Sequence, residues 1–155
     1  LMIEHSLYSP AMSLLRLEFE RVVKGYWLRR FANDERVKAF IEGKTIKLGR
    51  ALQEVRENTD KSDLVTSWID RVNIVSYGEM NNATHVDADY AFRFYSDDRV
   101  QQSFNEKEIM RCVVFSHTSL CICGCEVLGI AGKVDSAREL QEHLYSSFSA
   151  IIFKE

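Results

Sequence analysis

An all-α bundle of five to six helices is the fold class expected of this chain, and three observations point to it. Apolar residues recur at three- and four-residue spacing through most of the sequence. One Pro and 7 Gly in 155 residues leave long stretches free of breakers. Polar residues suited to helix capping stand ahead of several of the apolar runs.

The first full helix is expected over about residues 10–31. Ser9 serves as N-cap and Pro10 as first helical residue, and Met12, Leu15, Phe19, Val22, Tyr26 and Trp27 follow the helical period. Leu14, Leu17 and Leu28 widen that stripe, so the helix should pack on two sides, with Gly25 admitting a close neighbour. A short helix over 34–42 is capped by Asn33, and another over 45–57 turns Ile46, Leu48, Leu52 and Val55 inward. Gly43 and the Asn58-Thr59-Asp60 cluster separate these elements. Ser62 then caps a helix carrying Leu64, Val65, Trp68, Ile69, Val72 and Val75, which runs to the polar block Asn81-Asn82-Ala83-Thr84-His85.

Residues 89–95 alternate with a period of two through Tyr90, Phe92 and Phe94, and read as a short strand or an irregular lid. Asn105-Glu106-Lys107-Glu108 opens a helix with a capping-box pattern. The following run to about Ala131 is apolar almost all round, as expected of a central buried helix. Ser136-Ala137-Arg138-Glu139 is a second capping pattern, opening a last helix with Leu140, Leu144, Phe148 and Ile151 on one stripe.

At 46% hydrophobic, residues 1–155 read as one globular domain. A domain of this size buries roughly 70% of its unfolded surface, so no disulfide or structural metal is required of it. Leu1 at the start leads to the expectation that residues are missing upstream, with residues 1–7 the tail of an earlier helix. No run of about 18 consecutive apolar residues is present, and Leu1-Met2-Ile3-Glu4-His5 lacks a basic region followed by an apolar one. A cytoplasmic protein without a membrane span is therefore the expectation.

Cys112, Cys121, Cys123 and Cys125 fall in one helical stretch and do not resemble a disulfide framework. His117, Cys121 and Cys125 share a face, which opens a metal or small-ligand reading. Structural zinc, however, usually takes paired CxxC knuckles on turns. Small, reduced core filler is the favoured reading, with no metal and no cofactor expected. The net charge of −3 hides an asymmetry: residues 16–50 hold ten Lys or Arg against five acids. That segment reads either as a phosphate-binding face or as a solvated surface laced with i,i+4 ion pairs.

In the polar block, helical spacing puts Asn81 and Asn82 within reach of His85, where an amide can orient the imidazole for proton transfer near neutral pH. Thr84 adds a hydroxyl able to bind phosphate or to bond back to the helix. The competing reading is that these residues end the helix and bond to the next loop.

The stretch Leu14-Leu15-Arg16-Leu17-Glu18-Phe19-Glu20 followed by Gly25-Tyr26-Trp27-Leu28 resembles the LLRxxxEaxxxGxWL opening of a bacterial helical family. Met80-Asn81-Asn82-Ala83-Thr84-His85 resembles that family's second signature, a helix ending like LNDYTHGG. The family in turn resembles the HEPN-like bundles (higher eukaryotes and prokaryotes nucleotide-binding domain), including AbiV-type and toxin-like members, many of them ribonuclease toxins or phage-defence effectors. The resemblance implies a metal-independent ribonuclease or an RNA-binding relative acting as a homodimer, with His85, Asn81 and Asn82 as catalytic residues. The family's Arg is replaced by Glu79 or Met80, and its two glycines by Val86 and Asp87. Arg16 or Arg21 would then supply the cation, with Thr84, at the substrate, unless Arg16 is paired with Glu20 one turn away. The alternative is a non-catalytic dimeric helical interaction module whose partner is a protein.

Overall fold

The computed structural model describes residues 8–60, 63–75, 78, 80, 95, 96, 99, 100 and 105–152. These form six helices, α1 (Tyr8–Arg30), α2 (Asp34–Ile41), α3 (Leu48–Asn58), α4 (Leu64–Val75), α5 (Glu106–Ile130) and α6 (Val134–Ile152). Between α4 and α5 lie two short antiparallel strands, β1 (Tyr95–Ser96) and β2 (Arg99–Val100). The all-α bundle is the fold; of the alternating segment 89–95, read as a short strand or an irregular lid, residues 89–94 lie outside the described residues, and β1 begins at its last residue, Tyr95.

Local signals position several helix ends. The Asn33 carboxamide accepts the Arg36 N–H and starts α2. Asn105 and Glu108 make the reciprocal capping box at the start of α5, at 3.0 and 2.9 Å. The other two caps differ from expectation. Asp63 caps α4 by accepting the Thr66 N–H at 2.9 Å, a carboxylate one position beyond Ser62. Helix α6 begins at Val134, two residues before Ser136, so that serine sits inside the first turn. Helix α1 likewise includes Ser9, and Pro10 falls in the first turn, where its missing N–H breaks no helical bond. Helix α3 starts at Leu48, leaving Thr45 and Ile46 in the connection after Gly43, whose φ of 86° turns the chain.

Three aromatic rings tie the bundle together. Phe19 of α1 is fully buried between Trp68 of α4 and Phe115 of α5, with centroids 5.9 and 6.4 Å away, while Trp68 and Phe115 lie 5.5 Å apart. One turn along the same face of α1, Val23 packs in the same core as Ala51 and Val55 of α3. Of the residues that widen the stripe, Leu28 packs against this core, whereas Leu14 and Leu17 are half-exposed, contrary to the expectation of packing on two sides. Glu18 meets Ser116 and Arg29 meets Glu126, so α1 and α5 run in the same direction. Helices α5 and α6 form an antiparallel hairpin through Gly132, at a φ of 71°.

The glycine that admits a close neighbour is not Gly25, which has open space around it. It is Gly124 of α5, where a Cβ would stand 2.8 Å from the Leu140 side chain of α6.

Glu54 joins three elements. Its Oε2 accepts from Trp27 Nε1 and Arg36 Nη1, each at 2.7 Å, and its Oε1 accepts from Arg50 Nε at 3.1 Å. These donors favour the charged form and lower the carboxyl from 4.5 to about 2.

Replacing Phe19 with Ala should cost roughly 3–5 kcal/mol, read as a lower urea midpoint at unchanged slope. Glu54 is depressed in the fold, so its contribution is complete at pH above 4.5 and is lost as the pH falls toward 2. Wild type should therefore exceed Glu54→Gln in thermal stability at neutral pH, with the gap closing across that acid window. Melting curves at stepped pH measure it.

Candidate functional site

Helix α5 contains no Asp, Glu, Lys or Arg between Arg111 and Glu126. Residues at 3.6 per turn distribute that apolar content around the whole cylinder, whereas its neighbours cover only part of it. Cys112, Phe115, Ser119 and Ile122 are buried in the bundle. A second face meets α6, where Leu140 approaches Gly124, Cys125 donates to the Ala137 carbonyl at 3.5 Å, and the His117 and His143 rings lie 6.1 Å apart.

The remaining face is bare. Val113, Leu120 and Val127 recur every seven residues and Ile130 closes the row, with exposures of 48%, 69%, 63% and 72%. Leu14 and Leu17 are both half-exposed on α1, which runs alongside. Val134, at the start of α6, is exposed as well. The expectation of a fully buried central helix is thus corrected: α5 is buried on its inner sides and open on the outer one. By length and composition it is also a helix able to cross a membrane, although a third of its most apolar window is buried inside the bundle.

Polar groups at the edge of this face are held by the neighbouring helix. The half-buried Glu18 carboxylate of α1 accepts from the Ser116 hydroxyl at 3.2 Å. Burial raises its pKa, and the hydrogen bond from Ser116 opposes that shift. At the α1 and α5 C-terminal ends, both Arg29 and Arg30 pair with Glu126. They border a cleft of about 450 Å³ that also holds Tyr26, Asp63 and Arg138. The Tyr26 hydroxyl donates to Asp63 at 3.3 Å, and the carboxylates offset most of the positive charge there.

The cysteines divide according to face. Cys112 and Cys121 are buried, Cys125 is half-buried, and Cys123 is exposed on the open face, 200° round the helix from Cys121. Burial raises the thiol pKa of Cys121, Cys123 and Cys125, with Glu18 adding to the effect at Cys123. Protonated thiols are poor nucleophiles and poor ligands. Among the described residues, no three His, Cys, Asp or Glu gather as a metal site requires.

His85, Asn81, Asn82 and Thr84 lie outside the described residues. Arg16 is paired, its Nε 3.4 Å from Glu20 Oε1, and Lys24 shares the same Glu20 at 3.4 Å. Arg21 is exposed on α1. Of the basic residues in 16–50, Arg16, Lys24, Arg29, Arg30, Arg36, Lys44 and Arg50 all have carboxylate partners. Only the Arg16–Glu20, Lys24–Glu20 and Arg50–Glu54 pairs have the expected i,i+4 spacing, while Arg29, Arg30 and Arg36 reach carboxylates on other helices. The open α5 face is the feature that sequence reasoning missed. Its seven-residue spacing was visible, but only the packing of α1 and α6 shows which side stays bare.

A family model described as a family of unknown function (DUF6988) matches residues 1–86, a stretch that covers α1 to α4 and the Asn81–His85 block. No curated protein and no solved structure matches the chain.

The charge on Glu18 opposes folding wherever the carboxyl is ionised, because its folded pKa is raised. Glu18→Gln keeps an acceptor for Ser116 and should melt higher than wild type at pH 7. That advantage should vanish as the pH falls through the carboxylate range, in paired melting curves.

Proposed function

We propose that this chain, which belongs to the DUF6988 family, acts as a helical interaction module that pairs with a second copy of itself through the open face of α5. The observation that supports this reading is the row Val113, Leu120, Val127 and Ile130, exposed by 48–72% on a helix that is otherwise packed. A soluble bundle rarely leaves a contiguous apolar patch of that kind without a partner.

Two features favour a second copy as occupant. The row follows heptad spacing, with the small residues Ser116 and Cys123 between its large ones, which is the pattern that lets a facing helix seat its knobs. The face carries no formal charge from residue 112 to 125, so it matches an equally uncharged surface, and its own copy is one. Leu14, Leu17 and Val134 are exposed as well and add apolar surface available to a partner.

Burying a Leu or Val side chain contributes roughly 1.5–3 kcal/mol. Leu120→Glu with Val127→Glu should therefore weaken self-association by roughly a hundredfold or more, leaving a monomer of unchanged helicity. Read at a pH where the thiol is ionised in both forms, Cys123 should react with a maleimide more slowly in the wild-type dimer than in the monomeric variant. Light scattering on both forms, with alkylation followed at Cys123, is the experiment. A wild type that stays monomeric, a dimer that survives both substitutions, or one that partitions into lipid vesicles instead of pairing would overturn the reading.

A further inference from the structure

A second surface lies away from α5. A groove of about 480 Å³ runs between the C-terminal half of α1, α2 and the start of α3, lined by Trp27, Arg36, Phe40, Lys44, Lys47 and Arg50 together with Ala39, Thr45 and Ile46. Four of these side chains are cationic and none is acidic. The volume falls within the range of small-molecule sites.

The two carboxylates nearest the wall do not close the site. Glu54 holds Arg36 and Arg50 through a single N–H each, and a guanidinium has five donors, so both keep N–H groups for a further acceptor. Arg36 also lies 5.5 Å over the Trp27 ring, which fixes the plane of its guanidinium. Glu42 meets Lys44 at 3.3 Å, but both side chains are largely exposed, and such a pair is weak enough to be exchanged. Lys47 has no carboxylate partner among the described residues. It is the N-cap of α3, makes no side-chain capping bond, and precedes a first turn without an acid. The positive end of that helix therefore adds to the field of the lysines and arginines.

Apart from Thr45, the rest of the lining is apolar. Phe40 is 37% exposed, and Ile46 is half-buried beside it. A ligand that fits both parts carries a phosphate at one end and a flat apolar group at the other.

We infer that this groove binds a small organic phosphate, with Lys44, Lys47, Arg36 and Arg50 on the phosphate oxygens and Phe40 with Ile46 against the apolar part. Guanidinium and ammonium donors make charge-assisted bonds to phosphate, and their strength explains why four cations are gathered around one recess. The site is formed within one copy of the chain, so it does not depend on how α5 is covered.

Calorimetric titration of the full chain tests the assignment with three probes: phenyl phosphate, inorganic phosphate and phenol. Phenyl phosphate is expected to bind tighter than inorganic phosphate, and phenol not to bind. Lys44→Ala and Lys47→Ala, both at exposed positions, should each weaken phenyl phosphate roughly tenfold, with Phe40→Ala removing its advantage over inorganic phosphate. Lys133→Ala, at an exposed position in the connection between α5 and α6, should leave binding unchanged. Failure of both phosphates to bind, or binding indifferent to the two lysines, overturns the assignment. So does binding of a short single-stranded RNA by a chain that ignores phenyl phosphate, which would mark the groove as a nucleic-acid surface.

Discussion

A helix that is apolar on every side can be covered on only as many sides as it has neighbours, and that constraint organises this molecule. Helix α5 has α1, α4 and α6 against it, and their contacts account for its inner faces through Phe115, Ile122, Gly124 and Cys125. Nothing in the remaining sequence of α5 changes character where those neighbours stop, because the stretch from Cys112 to Cys125 holds no formal charge on any side. The apolar surface therefore continues onto the outer face as Val113, Leu120, Val127 and Ile130. Leaving that area in water opposes the monomer by the same hydrophobic term that assembles its core. A second copy removes it most economically, because one face supplies both halves of the contact.

The remaining architecture holds α5 in that position. Phe19, Trp68 and Phe115 come from three helices and fix α1, α4 and α5 around one aromatic centre. Glu54 gathers Trp27, Arg36 and Arg50, which binds α2 and α3 to the far side of α1. Glu18 and Glu126 sit at the α1–α5 seam, where they meet Ser116 and the Arg29–Arg30 pair. Arg29, Arg30 and Arg36 of the basic segment are thus used as struts between helices. The recess around Lys47 is the place where positive charge gathers without an acid in its lining.

Much of the fold was legible in the sequence because it is encoded locally. The cap at Asn33, the capping box from Asn105 to Glu108 and the helical spacing through Phe19, Trp27, Trp68 and Val72 all concern residues within a few positions of one another. Ser9 and Ser136 misled for a local reason too, since a serine in the first turn of a helix reads like one just ahead of it. Longer-range features were not legible. The Glu54 cluster joins residues 18 and 27 positions apart, and no spacing rule anticipates it. The open face of α5 was hidden more deeply, because apolar composition reads as burial whether or not a neighbour is present to provide it. The polar block at residues 81–85, the most prominent candidate in the sequence, lies outside the described residues, and the surface that the described geometry offers is the open face of α5.

Sedimentation equilibrium of the purified wild-type chain over a wide concentration range tests the central claim most directly, because it reads mass without reference to shape. Self-pairing through α5 predicts a mass rising from 17.9 kDa to twice that value and stopping there. A mass that stays at one chain throughout, or climbs past two without a plateau, would contradict an isologous pairing through this face.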